Sequence, residues 1–190
     1  FEQALAAASS GQTIKLLENV ETEASLTIDK SLTLDTNGKI LKRAGTLTAS
    51  DTRIFRITAG VTTLTGSGTL TSNSCGTESE NSMIRVDKDA SLIVGNVTVR
   101  TGENVAYAIG MFGGTVEIHS GASVTSSYGS HQGIAISTNG SDNWSPATIT
   151  VTGGVITGGA AGLYLPGKSQ QVTISGGEIY GGIETKAGTV

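Results

Sequence analysis

Apolar and polar residues alternate along this chain in runs of about three to five, each closed by a bend that usually contains glycine. The pattern repeats. It reads Leu32-Thr33-Leu34-Asp35-Thr36-Asn37-Gly38-Lys39-Ile40, then Thr63-Leu64-Thr65-Gly66-Ser67-Gly68-Thr69-Leu70. It returns at Ile93-Val94-Gly95-Asn96-Val97, at Glu117-Ile118-His119-Ser120-Gly121, at Val151-Thr152-Gly153-Gly154-Val155 and at Ile174-Ser175-Gly176-Gly177-Glu178. Anchored on Leu34, Leu64, Val94, Ile118, Val151 and Ile174, the successive spacings are 30, 30, 24, 33 and 23 residues. Periods of that size mark solenoids, in which each repeat buries its apolar side only by stacking on its neighbours. Alternation with period two sends one set of side chains inward and the other outward, so the six anchors are expected to form one inward stack.

A second run recurs in each repeat: Ile54-Phe55-Arg56-Ile57, Ile84-Arg85-Val86, Ala108-Ile109, Ile134-Ala135-Ile136, Leu163-Tyr164-Leu165 and Ile183-Glu184-Thr185. Ile54 or Phe55, Ile84, Ile134 and Leu163 should approach the core from another wall. Each coil then offers about three short strands. Sandwich strands are longer and joined by hairpin turns, whereas stacked coils pair each strand with its equivalent about 4.8 Å away. Parallel crossovers are overwhelmingly right-handed. The pattern therefore predicts an all-β chain, a right-handed parallel β-helix.

The two ends are read differently. Phe1, Ala4, Leu5 and Ala8 form an apolar helical stripe, so residues 1–10 are expected to be a short capping α-helix over the open edge of the first coil. A strand should begin in Gly11-Gln12-Thr13-Ile14-Lys15. Residues 11–190 then make about six to seven coils of a single domain. Lys186-Ala187-Gly188-Thr189-Val190 opens a repeat, and the expectation is that the solenoid continues beyond it, alongside other domains of the same polypeptide.

Composition narrows the function classes. Glycine supplies 27 of 190 residues, about twice its usual share, without the period of collagen. Charged residues are only 15%, with a formal net charge of −4 and no basic run, which argues against nucleic acid as a partner. The apolar runs are strand-sized, so no membrane span is expected. Cys75 is the single cysteine, which excludes a disulfide framework and leaves the compartment open.

The opening segment from Phe1 to Leu16 resembles the cap and first strand of pectate-lyase-like β-helix domains, and the Thr-Ile-Ser-Gly-Gly type of bend at 173–177 resembles that of adhesin-like surface members from Gram-positive gut bacteria. The resemblance spans the chain but rests on structural motifs. It implies the fold and an extracellular, cell-surface setting, and says little of activity. Lyases of that superfamily use an Arg or Lys base beside Ca²⁺ held by acidic residues of adjacent coils. Arg56 and Arg85 occupy similar places in successive coils and should stack outward, but no acidic set lines up beside them across coils. Asp87 and Asp89 lie near in sequence, yet Ca²⁺ wants six to eight oxygens and one coil supplies few. The plain reading is two solvated arginines.

Paired catalytic aspartates of the polygalacturonase type are missing, and Gly129-Ser130-His131-Gln132-Gly133 only echoes the histidine motif. Cys75 with His119 or His131 is no nucleophile–base motif, and two histidines make no zinc site. No metal or cofactor is expected. One constellation remains. Segments 126–132 and 138–146 flank the run Ile134–Ser137 and bring Tyr128, His131, Asp142, Asn143 and Trp144 to neighbouring loops. Aromatic faces ringed by hydrogen-bonding groups suit sugar rings. The competing reading folds Trp144 back as a cover for the coil. The sequence is best read as a non-catalytic surface module, adhesin-like, binding glycans or a host surface ligand through coil loops. The alternative is a polysaccharide lyase or glycoside hydrolase.

Overall fold

The computed structural model describes residues 1–77, 79–128, 132–138, 146–167 and 169–186. One helix, α1 (Glu2–Ala7), is followed by β1 (Gln12–Lys15), β2 (Val20–Thr22), β3 (Leu26–Ile28), β4 (Leu32–Asp35), β5 (Ile40–Arg43), β6 (Phe55–Ile57), β7 (Gly60–Thr65) and β8 (Thr69–Ser72). Then come β9 (Ser79–Val94), β10 (Thr98–Arg100), β11 (Val105–Ile118), β12 (Ser123–Thr125), β13 (Ile134–Ser137), β14 (Ala147–Thr157), β15 (Ala161–Leu165), β16 (Gln170–Tyr180) and β17 (Ile183–Thr185). The described pairings between these strands are all parallel. The chain is an all-β parallel solenoid.

Three ladders form its faces. The first runs β1–β4–β7–β9–β11–β14–β16. The second runs β2–β5–β8–β10–β12–β14–β16. The third runs β3–β6–β9–β11–β13–β15–β17. The long strands β9, β11, β14 and β16 turn a corner and serve two faces each. Val, Ile and Thr dominate the strands because branched side chains fit a pleated, half-buried surface. Glycine makes the corners possible. Gly154 has φ +81°, and a Cβ there would sit 2.8 Å from the carbonyl oxygens of His119 and Ala122 in the coil below.

The anchors stack as the alternation predicts. Ile14, Leu34, Leu64, Val94, Ile118, Val151 and Ile174 occupy one register position of the first face. All from Leu34 to Val151 are buried, each contributing roughly 1.5–3 kcal/mol by leaving water. Ile174 holds the register but is 45% exposed, because among the described residues no strand lies over β16. On the third face the inward stack is Leu26, Phe55, Ile84, Ile109, Ile136, Leu163 and Ile183. The expected Ile134 is displaced by Ile136. Two residues earlier on the same strand, Ile134 pairs Ala161 towards the corner and is only partly buried.

The cap is present but shorter than expected. Six residues cannot hold a helix alone, so α1 depends on docking. Leu5 is buried in the core, and the Phe1 ring lies 6.3 Å from that of Phe55. Thr22 donates to Glu2 Oε1 at 2.8 Å, and Lys30 Nζ to the Ala8 carbonyl at 2.8 Å. Ala4, expected on the docked stripe, is exposed, because the apolar contact with the coil edge is made by Phe1, Leu5 and Ala8. Among the described residues, no helix is long and apolar enough to cross a membrane.

Candidate functional site

The charged centre of the molecule lies on the third face. Register places Arg56 of β6 directly beside Arg85 of β9, so two guanidinium-bearing positions stack one strand apart. Such a stack repels itself unless an anion lies between. Asp87 is that anion. It follows Arg85 by two residues and therefore shares its face. Its Oδ2 accepts from Arg56 Nε and Nη2, both at 2.8 Å, and its Oδ1 accepts from Arg85 Nε at 2.6 Å. Both carboxylate oxygens are thereby committed to arginine.

Phe112 of β11 pairs Asp87 in the next coil and lies under Arg85, whose guanidinium carbon is 3.7 Å from the ring centroid. A cation over a π-face at this distance is attracted by the ring quadrupole. Ring and carboxylate fix the plane of Arg85, whose side chain is 21% exposed against 48% for Arg56. The expectation of two solvated arginines is corrected for Arg85. The outward stacking expected of the pair is observed.

Arg53 completes the cluster. Its Nη1 donates to Asn81 Oδ1 at 3.1 Å. Burial lowers its pKa from the ordinary value; Arg85 and Arg56 push the same way, and Asp51 and Asp87 oppose them. Asp51 itself is held by buried Arg43, whose Nη2 reaches Oδ2 at 2.8 Å while Nε and Nη1 donate to the carbonyls of Arg53 and Ala44. Arg43 thus pins segment 44–54 to the stack, and among the described residues the cluster of Arg53, Arg56, Arg85 and Asp87 carries an excess of positive charge.

The sequence reading missed Arg53, Phe112 and the bridging role of Asp87. The last was legible, since Arg85 and Asp87 stand two apart on one strand. Phe112 was not, because only the register between β9 and β11 brings it under Arg85.

The other candidates separate. Tyr128 is buried, with 8% of its surface exposed, and stands at the edge of the core rather than as an open platform residue. His131, Asp142, Asn143 and Trp144 lie outside the described residues. Between the two segments, β13 belongs to the third face. Cys75 is buried; its thiol donates to the Leu47 carbonyl at 3.5 Å and its N–H to that of Glu103 at 2.9 Å. His119 Nε2 instead meets Glu117 Oε2 at 3.0 Å on the first face. Thiol and imidazole have different partners. Asp89 is exposed beside Lys88 and does not join Asp87. A shallow groove runs along the glycine corner past Ser120, Gly121, Gly153, Gly154, Gly177 and Glu178. Among the described residues, no three of His, Cys, Asp and Glu come close enough to hold a metal ion.

Fold and site together define a parallel β-solenoid with a cationic, aromatic-backed third face. No protein-family model matches the chain, and no curated protein or solved structure matches it either.

Proposed function

We propose that the chain is a non-catalytic extracellular module, an adhesin-like element of a cell-surface protein, which recognises glycans on its third face. The resemblance to surface members of the pectate-lyase-like β-helices supports the setting. The observation that carries the reading is the commitment of Asp87. A lyase needs a guanidinium or amine free to take a proton, with carboxylates open to a Ca²⁺ ion. Here the one carboxylate between Arg56 and Arg85 spends both oxygens on them, and Arg85 lies on a ring face that favours a cation. The arrangement suits holding a ligand. Segments 126–132 and 138–146 flank β13 of this face in sequence, and His131, Asp142, Asn143 and Trp144 would add polar and aromatic groups to a glycan contact.

The test pairs binding with turnover. Trp144 is the only tryptophan, so titration with cell-wall and mucin-type glycans should shift its emission if sugars approach those loops. Polygalacturonate, with or without Ca²⁺, should yield no unsaturated product. Product formed by the intact chain and lost in Arg85→Ala would reverse the reading in favour of a lyase. A silent emission across the panel, with Trp144→Ala leaving adhesion unchanged, would leave that residue as a cover for the coil.

A further inference from the structure

We infer that Arg56 and Arg85 form a recognition site for an oxoanion, a carboxylate or sulfate ester carried on a glycan. The choice of carrier rests on the glycan reading above; the anion site itself rests on the cluster. Asp87 bridges Arg56 and Arg85, Asp51 is bonded to Arg43, and Arg53 is influenced through space by both carboxylates. Among the described residues, fixed positive charge therefore exceeds fixed negative charge at one spot of a chain whose net charge is −4.

Geometry makes that excess usable. Arg85 uses Nε on Asp87 and its π-face on Phe112, and its η nitrogens donate to no acceptor among the described residues. Arg56 Nη1 likewise has no partner among the described residues, and the side chain is half exposed. Guanidinium forks match the two-oxygen edge of a carboxylate or sulfate. A fork held in plane before the ligand arrives loses little freedom on binding. The stack brings the two arginines to one register position on strands about 4.8 Å apart along the solenoid axis. That spacing lets one oxoanion touch both. Relief of the repulsion among Arg53, Arg56 and Arg85 adds to the attraction.

The test measures retention of the intact chain on heparin, on polygalacturonate, on neutral dextran and in free sodium sulfate. Arg56→Gln, Arg85→Lys and, as a control, Arg100→Gln on the second face are compared. Circular dichroism checks folding, and Arg56→Gln leaves the Arg85–Asp87 pair in place. The expected result is binding to one or both anionic polymers and none to dextran. Affinity should fall about tenfold in Arg56→Gln, the loss of one charge-assisted hydrogen bond. It should also fall in Arg85→Lys, which keeps the charge but loses the fork, and hold in Arg100→Gln. Preference between heparin and polygalacturonate assigns sulfate or carboxylate. Glycan binding that ignores charge and both arginine variants would overturn the anion site while leaving the glycan reading intact. Protection of the cluster by free sulfate, with every polymer ignored, would keep the anion site and remove the glycan. Equal losses in Arg56→Gln and Arg100→Gln would reduce the effect to general attraction and overturn the site.

Discussion

The outward positions of the first and third faces are built on the same coils yet differ in kind. On the first face, one register row reads Thr13, Thr33, Thr63, Ile93, Glu117, Thr150 and Thr173. The matching row of the third face reads Thr27, Arg56, Arg85, Gly110, Ser137, Tyr164 and Glu184. Threonine recurs at five of the seven positions on the first because a branched hydroxyl-bearing side chain suits a solvent-facing strand. The third changes residue at every coil except from Arg56 to Arg85 and is buried at Gly110 and Ser137. Repetition on an outer face reflects strand formation alone. Departure from repetition marks where the surface has been given other work.

That comparison presumes one core beneath both faces, and the largest expected effect tests it. Ile118→Asp puts an unpaired charge into a fully buried row and should cost several kcal/mol, enough to abolish cooperative thermal unfolding. Ile174→Asp, in the same row but half exposed, should cost about 1 kcal/mol or less. Equal losses would mean that the row is not one stack.

Next in size is a pair of outer substitutions. A Cβ on Gly110 would lie 2.7 Å from Ser82 Oγ and 2.8 Å from Ser82 Cβ, too close without movement of a buried residue. Gly110→Ala should destabilise by about 1–3 kcal/mol in urea unfolding. Thr63→Ala on the first face should cost only a few tenths. If Gly110→Ala were as mild, the third face would not be the tighter one.

The inner row beside the anchors offers a smaller effect of opposite sign. Thr62 is buried between Leu32 and Leu92, and its hydroxyl finds no partner among the described residues. Thr62→Val keeps the shape and removes the orphan group, so the melting temperature should rise, by about 1 kcal/mol in stability. A fall would mean that the hydroxyl is satisfied. Arg56→Gln should be the mildest of all for folding. The Arg56 side chain is half exposed and screened, so its loss should stay within about 0.5 kcal/mol even as anion binding falls.

How far the sequence carried this account depended on whether the signal was periodic. Leu34, Leu64, Val94, Ile118, Val151 and Ile174 could be placed on one row because alternation and coil length determine register together. Ile134 was misplaced against Ile136, since two residues of equal parity on one strand differ only in which neighbour they meet. Burial of Ile174 could not be read, because it depends on the strand above rather than on the residue. The arginine pair was visible as a recurrence, whereas Phe112 under Arg85 is a contact between coils without any local mark. Tyr128 looked available as a loop aromatic and is buried, because proximity in sequence to a polar segment carries no information about what covers a ring.

Hydrogen–deuterium exchange with and without a bound anionic glycan tests the central claim, that the third face is the recognition face, most directly. Added protection should fall on 53–57, 84–88 and 110–112, with the first-face segments 32–35, 61–65 and 148–151 unchanged. Protection confined to the first or second face, or spread evenly over all three, would contradict the account.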